Sequence, residues 1–138
     1  QHGWSYGAHM RRLVTFALNE KNELPPSKGP IYAKPILAED FVVDETLASR
    51  GSKLYTEECM MCHGPGAGAA GNAPDLRASP IMLSTDAMHS VVVNGSLRSN
   101  GMPNFAKYQE NDLIALQHYV RRQANTPAPC KACNEGGL

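Results

Sequence analysis

The sequence predicts a helical domain preceded by a short strand and an extended linker, and three observations predict it. Three stretches open on a helix-capping residue and continue with apolar residues at helical spacing. Pro25, Pro26, Pro30 and Pro35 break up the chain ahead of them. The largely apolar run Arg12 to Leu18 contains β-preferring residues and is closed by the turn-like Asn19-Glu20-Lys21-Asn22. The expected division is therefore a strand and turn over 1–24, a linker over 25–44, a helical domain over 45–126 and a tail over 127–138.

The strand is too short to be stable alone and should pair with another strand. The linker, with its prolines, should run extended. Asp44 or Thr46 can cap a first helix reaching about Met61, with Leu47, Leu54 and Tyr55 on one face beside Gly51. Residues 64–80 read as loop. Ser84, Thr85 or Asp86 can cap a short helix carrying Met88, Val91 and Val92, which stops at Asn94-Gly95. Residues 96–110 read as a second loop. Asn111 or Asp112 can cap a last helix to about Ala124, turning Leu113, Ile114, Leu116, Tyr119 and Val120 inward.

Bulk composition narrows the partners. The 138 residues carry 13 basic and 13 acidic side chains, a balance that gives no electrostatic case for nucleic acid or an anionic membrane. The longest apolar runs are far too short for a membrane span. The chain opens Gln1-His2-Gly3 with no export leader, and is expected to be a mature or trimmed form.

The chemistry is concentrated in Cys59-Met60-Met61-Cys62-His63, the C-x-x-C-H attachment signature for a c-type haem. Residues three apart near a helix end share a side, so two thiols can form thioethers with one haem while His63 swings under the iron. A redox dithiol would need a βαβ setting, which the pattern lacks. A zinc site would need two further ligands. Cys130 and Cys133 could supply them on paper, but that leaves His63 and the following Met loop unexplained.

A second axial ligand is expected from a methionine. Met60 and Met61 are tied to the attachment turn, and Met82 and Met88 read as core filler. Met102 sits between Gly101, which allows a sharp turn, and Pro103, which stiffens the backbone after it. Met/His ligation raises the reduction potential and leaves no open site, which favours electron transfer over oxygen chemistry. The second nitrogen of His63 should donate to a carbonyl of the 72–76 loop, with Pro74 the candidate. Arg77 is either a haem-propionate partner or a solvated surface residue. Gly66-Ala67-Gly68-Ala69-Ala70-Gly71 fits G-x-G-x-x-G but follows no strand, and Asn94-Gly95-Ser96 is accounted for as a helix stop.

With Gly51, Tyr55, Cys59-x-x-Cys62-His63-Gly64, Pro74-Asp75-Leu76, Gly101-Met102-Pro103 and the helix from Leu113 to Tyr119, residues 46–126 resemble a class I cytochrome c domain. That resemblance implies an all-α fold around one covalent haem c, with the first and last helices crossing closely at Gly51. A narrower likeness rests on Pro74 to Pro80, Val93-Asn94-Gly95 and Gly101 to Phe105, with a looser match at Arg12 to Leu18 and Leu24-Pro25-Pro26. It is to the C-terminal haem domain of quinohaemoprotein alcohol dehydrogenases, periplasmic bacterial enzymes that fuse a pyrroloquinoline quinone (PQQ) β-propeller to a cytochrome c. The family implies a propionate contact for Arg77. It also implies a propeller domain or subunit holding PQQ and calcium, and a periplasmic acceptor such as a small cytochrome, a cupredoxin or a membrane quinone-linked protein. These 138 residues contain no propeller, so the expected role is electron relay and not alcohol oxidation by this chain alone. A start inside a propeller-like strand suggests a piece of a longer product. The alternatives are a free-standing periplasmic shuttle cytochrome and a haem sensor or peroxidase with a labile sixth site. Cys130 and Cys133 fall outside the family pattern and are either a small disulfide or free thiols.

Overall fold

A computed structural model of the chain describes residues 33–68 and 73–126, together with Thr15 and Leu18. The predicted strand apart from Thr15 and Leu18, the linker up to residue 32, the middle of the glycine-rich loop and the Cys130/Cys133 tail lie outside the described residues. Thr15 falls in no regular element and Leu18 in a turn, and among the described residues there is no strand. The regular elements among the described residues are helical: α1 Glu45–Glu58, α2 Met60–His63, α3 Thr85–Met88 and α4 Glu110–Asn125. Single 3₁₀ turns at Pro65–Ala67, Leu76–Ala78, Pro80–Leu83 and Arg98–Asn100 shape the loops.

Asp44 starts α1, its carboxylate accepting from the backbone N–H of Thr46 at 2.7 Å and of Leu47 at 3.0 Å. The helix pauses at Cys59, and α2 resumes with His63 N–H donating to Cys59 O at 2.9 Å. The expected single helix to Met61 is thus two segments hinged at the first cysteine. Ser84 caps α3, accepting from Ala87 N–H at 3.2 Å. α3 widens into a π-type turn, His89–Val93, and stops where Gly95 takes φ +72°. α4 starts slightly earlier than the sequence suggests, with Gln109 at the cap. Asp112 sits inside the first turn and reaches back to accept from Gln109 N–H at 2.9 Å.

The core is the crossing of α1 over α4. Ala48, Gly51 and Tyr55 of α1 face Leu113, Ala115, Leu116, Tyr119 and Val120 of α4, all buried. At Gly51 the backbones touch: a Cβ there would lie 1.9 Å from Ala115 O and 2.5 Å from Ala115 C. One turn on, the Tyr55 and Tyr119 rings pack with centroids 4.9 Å apart. Arg50–Asp112 and Arg122–Glu45 ion pairs flank the crossing on the surface.

The linker from residue 33 is not a free tether. Ile36 N–H donates to Arg77 O at 2.9 Å, and Ile36 O accepts from Arg121 Nη1 at 2.9 Å. Phe41 packs on the His118 ring at 4.8 Å, and Asp44 N–H donates to His118 Nδ1 at 2.9 Å. The segment follows α4 into α1.

Gly51→Ala is expected to cost about 3 kcal/mol or more, because backbone and not a movable side chain occupies the space. Urea or thermal unfolding of the purified protein measures it. A loss below about 1 kcal/mol would show that the helices separate freely.

Candidate functional site

The C-x-x-C-H motif begins at the Cys59 hinge and continues through α2. Residues 60–63 make one helical turn, which brings Cys59, Cys62 and His63 to the wall of a single cavity of about 240 Å³. Most of the wall is apolar, with Leu76, Ile81, Met82, Met88, Val92 and Leu116 contributing from four parts of the chain. Pro74 and Met102 line the same space. Five of the six site residues expected from the sequence are therefore assembled around one cavity.

His63 is 7% exposed, and its Nδ1 lies 3.0 Å from Pro74 O. A carbonyl only accepts, so Nδ1 carries the proton and Nε2 keeps its lone pair. Burial lowers the imidazole pKa below its usual value, partly opposed by that hydrogen bond, so the ring is neutral at ordinary pH and able to ligate a metal. The backbone behind the ring is fixed by Tyr55, whose hydroxyl donates to Gly64 O at 2.6 Å. Burial first, then neighbouring Tyr119, raises the Tyr55 phenol well above its ordinary range, so it stays a donor. Gly64 holds φ +79°, a conformation suited to glycine.

Met102 is half-buried on a loop held from beneath. Gly101 turns the chain at φ +92°, and Met102 N–H donates to Leu97 O at 3.3 Å. Phe105 N–H donates to Val92 O at 2.7 Å, and Asn104 Nδ2 donates to Val93 O at 3.4 Å. Gly95 lets this loop close on itself, since a Cβ there would meet Asn104 Cβ at 2.8 Å.

Arg77 is placed differently from the other five. Its Nε and Nη2 donate to the buried Asp75 carboxylate at 3.0 and 2.6 Å, and its guanidinium lies against Gly68. Asp75 also caps the Leu76–Ala78 turn by accepting from Arg77 N–H at 3.0 Å.

Two buried polar residues of α4 carry the loops and are not evident in the sequence. Gln117 Nε2 donates to Met82 O at 3.1 Å, which pins the Pro80–Leu83 turn. Arg121 donates to Ile36 O, Leu76 O and Arg77 O. Their partners are backbone carbonyls remote in sequence, so no residue pattern announces them.

A sequence profile described as "Cytochrome C oxidase, cbb3-type, subunit III" matches residues 46–120. The chain belongs to the cytochrome c family. A cytochrome c domain carries haem c and works by electron transfer, and the residues present fit that group. Two cysteines, a neutral histidine with a free Nε2 and a methionine thioether surround a cavity whose wall is otherwise mostly apolar. Curated relatives are similar over most of the chain. Lupanine 17-hydroxylase [cytochrome c] of Pseudomonas sp is 33% identical over 117 residues, 83% of this chain and 16% of that protein. Quinohemoprotein alcohol dehydrogenase ADH IIB of Pseudomonas putida is 34% identical over 125 residues, 88% of this chain and 18% of that protein. Cytochrome c550 of Pseudomonas aeruginosa is 32% identical over 97 residues, 64% of this chain and 61% of that protein. The chain spans less than a fifth of the length of the first two. No helix among the described residues is long and apolar enough to cross a membrane.

The two cysteines differ in environment. Cys62 is exposed, whereas the half-buried Cys59 thiol is pushed up to about 11 by burial, with Glu58 and Cys62 adding to it. In the haem-free protein, Cys62 is expected to be alkylated well before Cys59 at about pH 8, because the thiolate is the reacting form. The Cys59 rate should keep climbing as pH rises toward about 11. Timed alkylation with peptide mass mapping checks this, and equal rates at about pH 8 would contradict it.

Proposed function

We propose that this cytochrome c domain is the electron relay of a PQQ-dependent quinohaemoprotein alcohol dehydrogenase in the bacterial periplasm. Electrons would arrive singly from a reduced quinone in a propeller domain or subunit that also holds calcium. They would leave to a periplasmic acceptor such as a small cytochrome, a cupredoxin or a membrane quinone-linked protein. The observation that carries the dehydrogenase context is the reach of the similarity. Matches covering 83% and 88% of the chain take in part of the segment before residue 46, beyond the cytochrome c profile itself.

In this reading Cys59 and Cys62 would hold the haem through thioethers, and His63 Nε2 and the Met102 sulfur would ligate its iron. Bound haem would supply a one-electron couple. The Pro74 carbonyl orients His63, Tyr55 steadies the backbone after it, and the 95–105 loop holds Met102 in place. The apolar wall limits water around the ligands. Arg77 is proposed to contact a haem propionate, with Asp75 fixing its guanidinium in one orientation. His63 from the α2 turn and Met102 from the 95–105 loop would together leave the haem no vacant site, which suits a relay and not a site that must admit a small ligand.

The match to cytochrome c550 supports a second reading, a free-standing periplasmic shuttle. The intact mass of the native gene product separates the two: a relay fused to its propeller is several times longer than this chain, as the first relatives are.

Met102→Ala is expected to open the sixth position of the haem-bearing protein, with loss of the absorption bands of thioether ligation and rapid carbon monoxide binding in the reduced state. Persistence of those bands would overturn the assignment of Met102. Rapid carbon monoxide binding by the unsubstituted protein would instead favour a sensor or peroxidase.

A further inference from the structure

Arg121 is 1% exposed and sits on α4 beside Val120, which lines the cavity. Its Nη1 donates to Ile36 O at 2.9 Å, and its Nη2 donates to Arg77 O at 3.1 Å and to Leu76 O at 3.3 Å. Leu76 is itself part of the cavity wall, and Pro74, two residues earlier, accepts from His63. Among the described residues no carboxylate pairs with Arg121, and its Nε has no acceptor. Carbonyl dipoles satisfy the N–H groups, but they leave the net positive charge in place. A buried charge is screened much less than one on the surface, and its field reaches further. Buried ions are ordinarily paired because desolvation is costly. An unpaired one next to a cofactor wall therefore calls for a reason beyond stability.

We propose that Arg121 holds up the reduction potential of the site by keeping an unpaired cation behind the wall formed by Val120 and Leu76. The inference rests on the haem reading. Loss of one electron to the acceptor protein adds one unit of positive charge at the site, and a fixed positive charge nearby opposes that change. The reduced state is favoured accordingly. The competing role for Arg121 is mechanical, a clamp that ties the linker to the loop supporting His63, with its charge incidental. The two roles respond differently to substitution. Arg121→Gln keeps an N–H donor and removes the charge. Arg121→Lys keeps the charge and loses the forked geometry.

Redox titration of the haem-bearing protein, followed by absorption, decides between them. At the midpoint potential of the unsubstituted protein, Arg121→Gln is expected to lower the ratio of reduced to oxidised protein about tenfold, equivalent to about 59 mV. Arg121→Lys is expected to stay within about threefold. An unchanged ratio in Arg121→Gln overturns the inference, as does an equal fall in both variants, which would assign the effect to the clamp. Failure of both variants to fold also overturns it, because Arg121 would then serve the fold. Absence of covalent haem from the unsubstituted protein after c-type maturation would instead sink the haem reading, a result independent of either variant.

Discussion

Gly51 brings α1 and α4 together at backbone distance, with Ala115 O where a side chain would begin. Two helices that close cannot slide without breaking van der Waals contact along both, so the crossing fixes their relative register. Everything that forms the cavity is referred to that register. Tyr55 lies one turn along α1 from Gly51, and its hydroxyl sets the backbone directly after His63. Leu116 and Val120 lie along α4 and form part of the cavity wall. Between them the two helices hold the attachment turn on one side and a wall on the other, without any strand among the described residues to brace them.

A second set of α4 side chains organises the loops. Gln117 and Arg121 are four residues apart, one turn of helix, and both donate to backbone carbonyls. Gln117 takes the turn that carries Met82, and Arg121 takes the turn after Pro74. Leu76, Ile81 and Met82 turn these loops toward the cavity, but their backbone makes no regular ladder of its own. Side-chain donors from a buried helix supply hydrogen bonds that the loop backbone would otherwise have to find in water. The Pro74 carbonyl is therefore positioned by the last helix as well as by its own proline.

Local spacing makes part of this legible in the sequence. Cys59, Cys62 and His63 lie within five residues, and their chemistry depends on a single helical turn. Gly101 and Pro103 mark the Met102 loop because glycine and proline declare backbone geometry directly. The helices follow from caps and apolar periodicity, with errors confined to their ends: the pause at Cys59 and the earlier start at Gln109. The features that stay hidden depend on contacts across long stretches of chain. Arg121 and Gln117 look like polar surface residues in an amphipathic helix until the loops fold over them. The linker looks like a spacer because its prolines are visible and its attachments to Arg77, Arg121 and His118 are not.

That attachment changes what the linker can do. Ile36 bonds through its N–H to the carbonyl of Arg77 in the loop that supports His63, and through its carbonyl to Arg121, which also donates to that loop. From Ile36 to Asp44 the chain is tied to α4 and to the loop beside it. For an electron relay this matters more than for a shuttle. Transfer falls steeply with distance, and a tether loose up to Asp44 would leave the distance to the donor unset. Seated along α4, residues 36–44 would add no such freedom. The carbonyls of Ile36, Leu76 and Arg77 thus share one donor, Arg121, which joins the linker to the loop that supports His63.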